Sequence, residues 1–335
     1  LIHVAMLSKW HVHAVDYARE ANEHKHLSIK LVWDEDVKRG KEWADELGVP
    51  FEADLQKVLT NPEIDAVIVD TPTNLHKEII IACAKHGKHI FTEKVLAFTV
   101  QDCDDIFAAI EEADVQFMIS LPRLTEDYYV YAQDIVNQGV LGRLTTIRCR
   151  VAHNGAVPTE ESAHGWLPKH FFNREQCGGG ALIDLGAHPI YLTNRLAGEA
   201  SSVMAYLQPT LNDEVDDNAV VLVQYESGAL GTLETGFLSS GSPFQLELYG
   251  TEGTLLIEDR DIRLKIGKQG EWLTPTELPT QLLTPMEQWV QAIEEGVSST
   301  ITKEDARNLT LINEAAAISH SEGRRVILKD IKEKR

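Results

Sequence analysis

Positive charge is scarce in this chain: 31 lysines and arginines stand against 52 aspartates and glutamates, a formal net charge of −21 over 335 residues. No block of Lys and Arg reverses that sign locally, which argues against a nucleic acid or an anionic membrane surface as partner. Long apolar runs are lacking too. None approaches the roughly 20 residues a membrane-spanning helix needs, and the first residues show no basic region followed by an apolar signal core, so a soluble, cytoplasmic protein is expected. Cys83, Cys103, Cys149 and Cys177 form no C-x-x-C pair, which indicates neither a zinc site nor a disulfide framework and leaves them as reduced thiols, Cys83 in a helix core. His11 and His13 stand two apart and no H-x-x-x-H pair occurs, so no metal site is expected.

What is present is enough apolar residue for two cores, 43% of the chain, with an ordinary 25% charged. The first 120 or so residues alternate β-branched runs with amphipathic helical runs, the pattern of βαβ units and a parallel sheet. Strands are predicted at 28–33, 65–70, 88–93 and 115–120, and helices at 13–24, 37–47, 75–86 and 100–113, with Gly48 and Gly87 placed to cap helix C-termini. Beyond Leu121 the pattern changes. A helix at 127–138, a strand at 144–152, a polar and aromatic loop at 153–177 and a helix at 181–196 precede strands at 203–208, 219–225, 229–236, 245–249 and 254–258. Two helices, 285–295 and 303–323, end the chain. Residues 1–121 are thus read as one domain, α/β with a parallel sheet, and 122–335 as a second, α+β, with a large mostly antiparallel sheet covered by helices.

The most pointed absence is glycine in the stretch "LSKWHVHA", Leu7 to Ala14, which follows an apolar opening. A dinucleotide-binding turn uses G-x-G-x-x-G, and the three positions here hold Ser8, Trp10 and His13. A non-glycine residue in a left-handed turn costs only about 1–2 kcal/mol, and the attraction of a helix N-terminus for phosphate does not depend on side chains. The strand ending "LVWDED" supplies Asp34, 21 positions after His13, where an acceptor for the adenosine ribose belongs and where a carboxylate repels the extra phosphate of NADP. That favours NAD over NADP. A plain helix cap is the other reading of Asp34.

With Asp34 added to "TPTNLH" (71–76), "GKHIFTEKVLA" (87–97) and "GGGALIDLGAHPIYL" (178–192), the chain resembles the glucose-fructose oxidoreductase/inositol dehydrogenase family, Gfo/Idh/MocA, over nearly its whole length. The resemblance implies an N-terminal Rossmann domain, a C-terminal domain on a large open sheet through which such proteins form dimers or tetramers, and NAD(P)-dependent oxidation of a sugar, polyol or related substrate. Thr71, Pro72, Asn74 and His76 match the loop beneath the cofactor. Glu93 and Lys94 match the Glu-Lys of the family's Glu-Lys-Pro motif, whose lysine lies near the nicotinamide. Asp184 and His188 match Asp-x-Gly-x-His, and Arg123 falls near the crossover between domains. Two departures stand out: the missing glycines, for which Trp10 and His11 are expected to substitute by packing or hydrogen bonding, and Val95 in place of the proline. If that peptide is cis in relatives, valine would keep it at a cost of roughly 3 kcal/mol or abandon it.

The chemistry of alcohol oxidation needs a base beside the hydroxyl. Asp184 and His188, four apart in a helix-like segment, would share a face, with His188 as base and Asp184 orienting it or binding substrate; Lys94 would stabilise negative charge on the substrate oxygen or carry the proton itself. His164, Trp166 and His170 are candidate substrate contacts from the loop, with ordinary surface positions as the alternative. Two further functions stay open: an enzyme that keeps NAD bound and uses transient oxidation to cleave a glycosidic bond or eliminate a group, and a non-catalytic ligand or nucleotide sensor of the same fold.

Overall fold

Elements follow the chain in the order β1 (Ile2–Leu7), α1 (Ala14–Glu23), β2 (Leu27–Trp33), α2 (Val37–Leu47), α3 (Leu55–Thr60), β3 (Ala66–Val69), α4 (His76–Lys85), β4 (His89–Thr92), α5 (Val100–Ala113) and β5 (Phe117–Ile119). After these come α6 (Asp127–Asn137), β6 (Leu144–Ala152), α7 (Arg174–Cys177), α8 (Ala187–Ala197), β7 (Ala200–Gln208), β8 (Asn218–Tyr225), β9 (Leu230–Gly236) and β10 (Gln245–Gly250). The last elements are β11 (Gly253–Glu258), β12 (Asp261–Ile266), β13 (Trp272–Leu273), α9 (Pro285–Glu295), α10 (Lys303–Glu322), β14 (Val326–Ile327) and α11 (Leu328–Lys332). This computed structural model describes residues 1–211 and 214–333.

The chain divides into two compact units, Leu1–Leu121 with Leu283–Arg307, and Pro122–Leu282 with Asn308–Arg335. In the first, five parallel strands lie in the order β2-β1-β3-β4-β5. Strand β3 is buried throughout and β1 nearly so, as expected of a parallel sheet covered on both faces. Helix ends follow local chemistry: Asp36 caps α2 by accepting the amides of Lys38 and Arg39, and Gly48 closes it in the left-handed conformation.

Residues 283–307 follow the second sheet in sequence yet pack with the first unit, a departure from a division by chain order alone. Helix α9 begins with a capping box, Thr284 and Glu287 satisfying each other's backbone amides, and its apolar face, Met286, Trp289 and Val290, is buried. Trp289 is fully buried and meets Phe91 of β4 at 5.6 Å between ring centroids. Deleting such a side chain leaves a cavity, so Trp289→Ala is expected to cost about 3–5 kcal/mol, measured by urea unfolding, although residue 289 lies far along the chain from the sheet it supports.

In the second unit nine strands lie in the order β13-β12-β11-β10-β6-β9-β8-β7-β14, antiparallel except for β6 with β9. β8 alternates exposed and buried along its whole length, so one face of the sheet is a core face and the other is open; α8 packs against β6 and β9. The segment 153–177 is not an open loop, because Leu167 and Phe172 join Ala156, Ala181, Val215 and Phe237 in one buried cluster. Helix α8 begins at Ala187, later than its periodicity suggests, and residues 181–186 form turns. All four cysteines are free and buried, and no described helix is long and apolar enough to cross a membrane.

Candidate functional site

β1 and β3 are neighbours from which the chain leaves in opposite directions across the sheet, and the carboxyl ends of two such strands form the crevice where dinucleotides bind. From β1 the chain enters Ser8 at φ 77°, a left-handed conformation that glycine would adopt without strain. Hydrogen bonds hold it there. The Ser8 hydroxyl accepts the Trp10 amide at 3.1 Å and the Arg39 guanidinium at 3.2 Å, and the His11 amide donates to the Asp70 carbonyl at 3.2 Å. Trp10 and His11 are both 5% exposed, so bulky side chains packed inward stand where glycines would leave space, and the turn still delivers the N-terminus of α1.

Asp34 ends β2 fully buried, and its carboxylate is engaged more completely than a ribose acceptor should be. Oδ1 accepts the Asp36 amide at 2.8 Å and Arg39 at 2.5 Å, while Oδ2 accepts the Lys9 amide and Arg39 Nε, each at 2.9 Å. A carboxylate has about four lone-pair positions, so a ribose hydroxyl would have to displace one of these donors. Asp34 therefore ties the Ser8–Lys9 turn to α2. Gly40 permits the approach, since a Cβ there would lie 2.6 Å from the Asp34 Cβ and 2.4 Å from the Phe51 ring. Arg39 escaped the sequence reading; its only signal was a basic residue one turn into the helix that follows Asp34.

In the loop after β3, Thr71 and Pro72 are buried and Asn74 is exposed. The Thr71 hydroxyl has no hydrogen-bond partner. His76 is buried with Nε2 3.1 Å from the Thr71 carbonyl and Nδ1 3.0 and 3.1 Å from those of Val95 and Leu96. Burial lowers its pKa although the carbonyls act the other way, and His76 clasps the 71–76 loop to residues 95–96.

The densest polar cluster surrounds Glu93, 2% exposed just beyond β4. Oε1 accepts the Lys94 amide at 2.8 Å. Oε2 lies 3.0 Å from His13 Nδ1 and 3.7 Å from His11 Nδ1, and accepts the Tyr17 hydroxyl. Burial alone would raise the pKa of Glu93, but His11, His13 and Lys94 outweigh it and hold the carboxyl well below its usual range. Asp70 has the opposite fate: burial, then the Glu93 charge, pushes it well up, and neither of its carboxyl oxygens is hydrogen-bonded. Lys94 is 6% exposed, and the Lys94–Val95 peptide is cis with valine in place.

The second unit builds its own constellation around a buried aspartate that the sequence reading missed. Asp216 accepts the amides of Gly180 at 2.9 Å and Leu182 at 2.8 Å through its carboxylate, and that of Ala181 at 2.7 Å through its carbonyl. These bonds organise the turns that carry Asp184 toward α8, where the His188 Nδ1 lies 2.7 Å from the Tyr191 hydroxyl. Arg123 sits over the Phe244 ring at 4.9 Å and donates to the Tyr128 hydroxyl at 3.3 Å. His164 and Trp166 are exposed and His170 half-buried; Trp166 meets His153 at 4.7 Å, and His153 in turn stacks on Phe237.

A parallel sheet with a helix N-terminus and orphaned polar groups, Thr71 Oγ1 and Asp70, at its switch point suits a dinucleotide. With the large sheet of the second unit, the chain has the two sheets that the family resemblance implied. Residues 12–121 match the family model described as "Oxidoreductase family, NAD-binding Rossmann fold", and residues 129–256 match the "GFO/IDH/MocA C-terminal domain". The chain is 30% identical over 263 residues to 2,7-anhydro-N-acetylneuraminate hydratase of Escherichia coli, covering 76% of this chain and 68% of that protein. It is 25% identical over 309 residues to myo-inositol 2-dehydrogenase of Thermotoga maritima, covering 88% and 89%. Among solved structures, levoglucosan dehydrogenase in complex with NADH and L-sorbose superposes with a TM-score of 0.83 at 22% identity, over 98% of both chains. The protein belongs to the Gfo/Idh/MocA family of NAD-binding oxidoreductases.

Proposed function

We propose that the protein is an NAD-dependent dehydrogenase that moves a hydride between nicotinamide and a sugar, polyol or related hydroxylated substrate. The observation that carries this reading is Lys94, a nearly buried cation following an ionised Glu93 at the carboxyl end of a parallel strand in an NAD-binding unit. The Ser8–His13 turn and the start of α1 would hold the diphosphate, and bound NAD would accept the hydride. Lys94 would place positive charge at the substrate oxygen. His188, its ring fixed by Tyr191, would take the hydroxyl proton, with Asp184 orienting substrate. Arg123 and the aromatic 164–170 segment would contact the substrate. Preference for NAD over NADP would come from Asp34 and Glu35, which together exceed the single charge of Arg39.

The hydratase relative at 30% identity favours one further reading, in which NAD stays bound and oxidation is transient. A polyol and anhydrosugar screen followed at 340 nm separates the two: NADH accumulating in step with substrate supports the dehydrogenase, whereas product without free NADH supports the second. Nucleotide binding with no conversion of any substrate would leave a sensor.

Self-association and a cytoplasmic location complete the proposal. On the open sheet face Tyr206, Val220 and Glu234 stand across from one another on β7, β8 and β9, with Leu222 and Leu230 also exposed. Light scattering is expected to give the mass of a dimer or tetramer, and Leu222→Glu to shift it toward the monomer.

A further inference from the structure

The sequence reading weighed His11 only against His13, two residues away, and a pair at that spacing in a turn is a weak metal signature. The fold adds a third donor from another strand. One ligand atom from each of His11, His13 and Glu93 lies within 4.8 Å of the others, with the carboxylate 3.0 Å from one imidazole nitrogen and 3.7 Å from the other. Donors bound to a common ion at about 2.0–2.2 Å sit at such separations, so small rotations of the rings close the set.

We propose that His11, His13 and Glu93 form a site for one divalent transition-metal cation of the class that accepts two imidazoles and a carboxylate, such as zinc, cobalt or iron(II). His11 Nδ1 accepts the His13 amide at 3.2 Å, and that bond must give way for this nitrogen to bind the metal. Glu93 is oriented by the Tyr17 hydroxyl and the Lys94 amide, the outer-sphere support that ligating carboxylates have in metalloproteins. Asp70 is an independent observation. It is wholly buried near Glu93 and Tyr17, and neither of its carboxyl oxygens is hydrogen-bonded. Three protein ligands leave at least one coordination position for water or for an oxygen of the diphosphate that the same turn is proposed to hold. The hydrogen bond between His13 Nδ1 and Glu93 must give way to the metal, so uptake near neutral pH releases a proton whenever His13 Nδ1 carries one.

The test uses tag-free full-length protein, treated with chelator and freed of nucleotide, titrated with CoCl2 alone and followed by visible d–d absorption, calorimetry and metal analysis. One equivalent of cobalt with tetrahedral or five-coordinate bands is expected, displaced by zinc. His13→Gln, whose side chain is partly exposed, should weaken binding by more than about 100-fold, and Tyr17→Phe by about 10–100-fold as an outer-sphere change. Glu93→Gln risks the fold, so circular dichroism accompanies each variant and His13→Gln carries the decision. Folded wild-type protein that takes up no stoichiometric cobalt at millimolar concentration overturns the proposal, as does uptake that His13→Gln leaves unchanged.

Discussion

Gly180→Ala is expected to unfold the second unit or leave it without a fixed structure around α8, while the NAD-binding unit keeps its own transition. A Cβ at residue 180 would lie 1.9 Å from the Asp216 carbonyl oxygen and 2.8 Å from its carbonyl carbon. No side chain can turn aside to relieve that overlap. The backbone must separate, and separation breaks the three hydrogen bonds by which Asp216 holds the amides of 180, 181 and 182. Burial already raises the pKa of Asp216 against the pull of those amides, so a carboxyl deprived of them is a buried polar group without partners, costing roughly 1–3 kcal/mol on its own. Added to the steric term, the loss should exceed the 4–5 kcal/mol that marks an exceptional substitution. Differential scanning calorimetry reads it directly: a low-temperature or missing transition for residues 122–282 is expected, and a variant that melts like the parent would show that 178–182 can repack. Gly179→Ala is the control, because its nearest contact is the flexible Ile183 side chain at 3.3 Å.

The same segment shows what local sequence can and cannot disclose. The seven helices and strands predicted between residues 13 and 113, together with the strand at 115–120, were legible because alternation and helical period are properties of neighbours along the chain. Helix α8 was drawn six residues too early because residues 181–186 are apolar at helical spacing, while what bends them into turns is Asp216, some thirty-five residues away. β12, β13 and β14 went unread for a related reason: short edge strands take their identity from a partner. Trp289 lies beyond the second sheet in sequence and belongs with the first by packing. In the candidate site, Asp34, Glu93 and Lys94 were visible as positions, but the saturation of Asp34 by Arg39 and the meeting of His11 and His13 with Glu93 are made by the fold alone. The opening stretch has its answer in the same terms. Glycine is replaced by Ser8 in the conformation glycine would take, held by Trp10, Arg39 and the aspartate that was itself expected to face the ribose.

Lys94→Met should abolish turnover while leaving nucleotide binding nearly intact. Methionine keeps the length and much of the apolar stem of lysine, so the packing that leaves Lys94 only 6% exposed is largely preserved, and what disappears is the charge. In a site shielded from water, one charge aimed at a developing alkoxide is worth about 10²–10³ in rate, and a further proton-transfer role would bring the loss to about 10⁴. The NAD dissociation constant, read by tryptophan quenching, should move only a few-fold, because Ser8 and Trp10 shape the phosphate turn and His76 anchors the 71–76 loop. Glu93 adds a second readout. Lys94 is among the groups that keep the Glu93 carboxyl low, so its removal should move the acid limb of any pH–rate profile to higher pH in Lys94→Gln and Lys94→Met alike, while Lys94→Arg restores the limb without restoring full turnover. Equal losses of binding and turnover would give Lys94 to the cofactor rather than to the reacting oxygen. A large fall in turnover with binding preserved places it beside the substrate, where an alcohol losing a hydride most needs a cation.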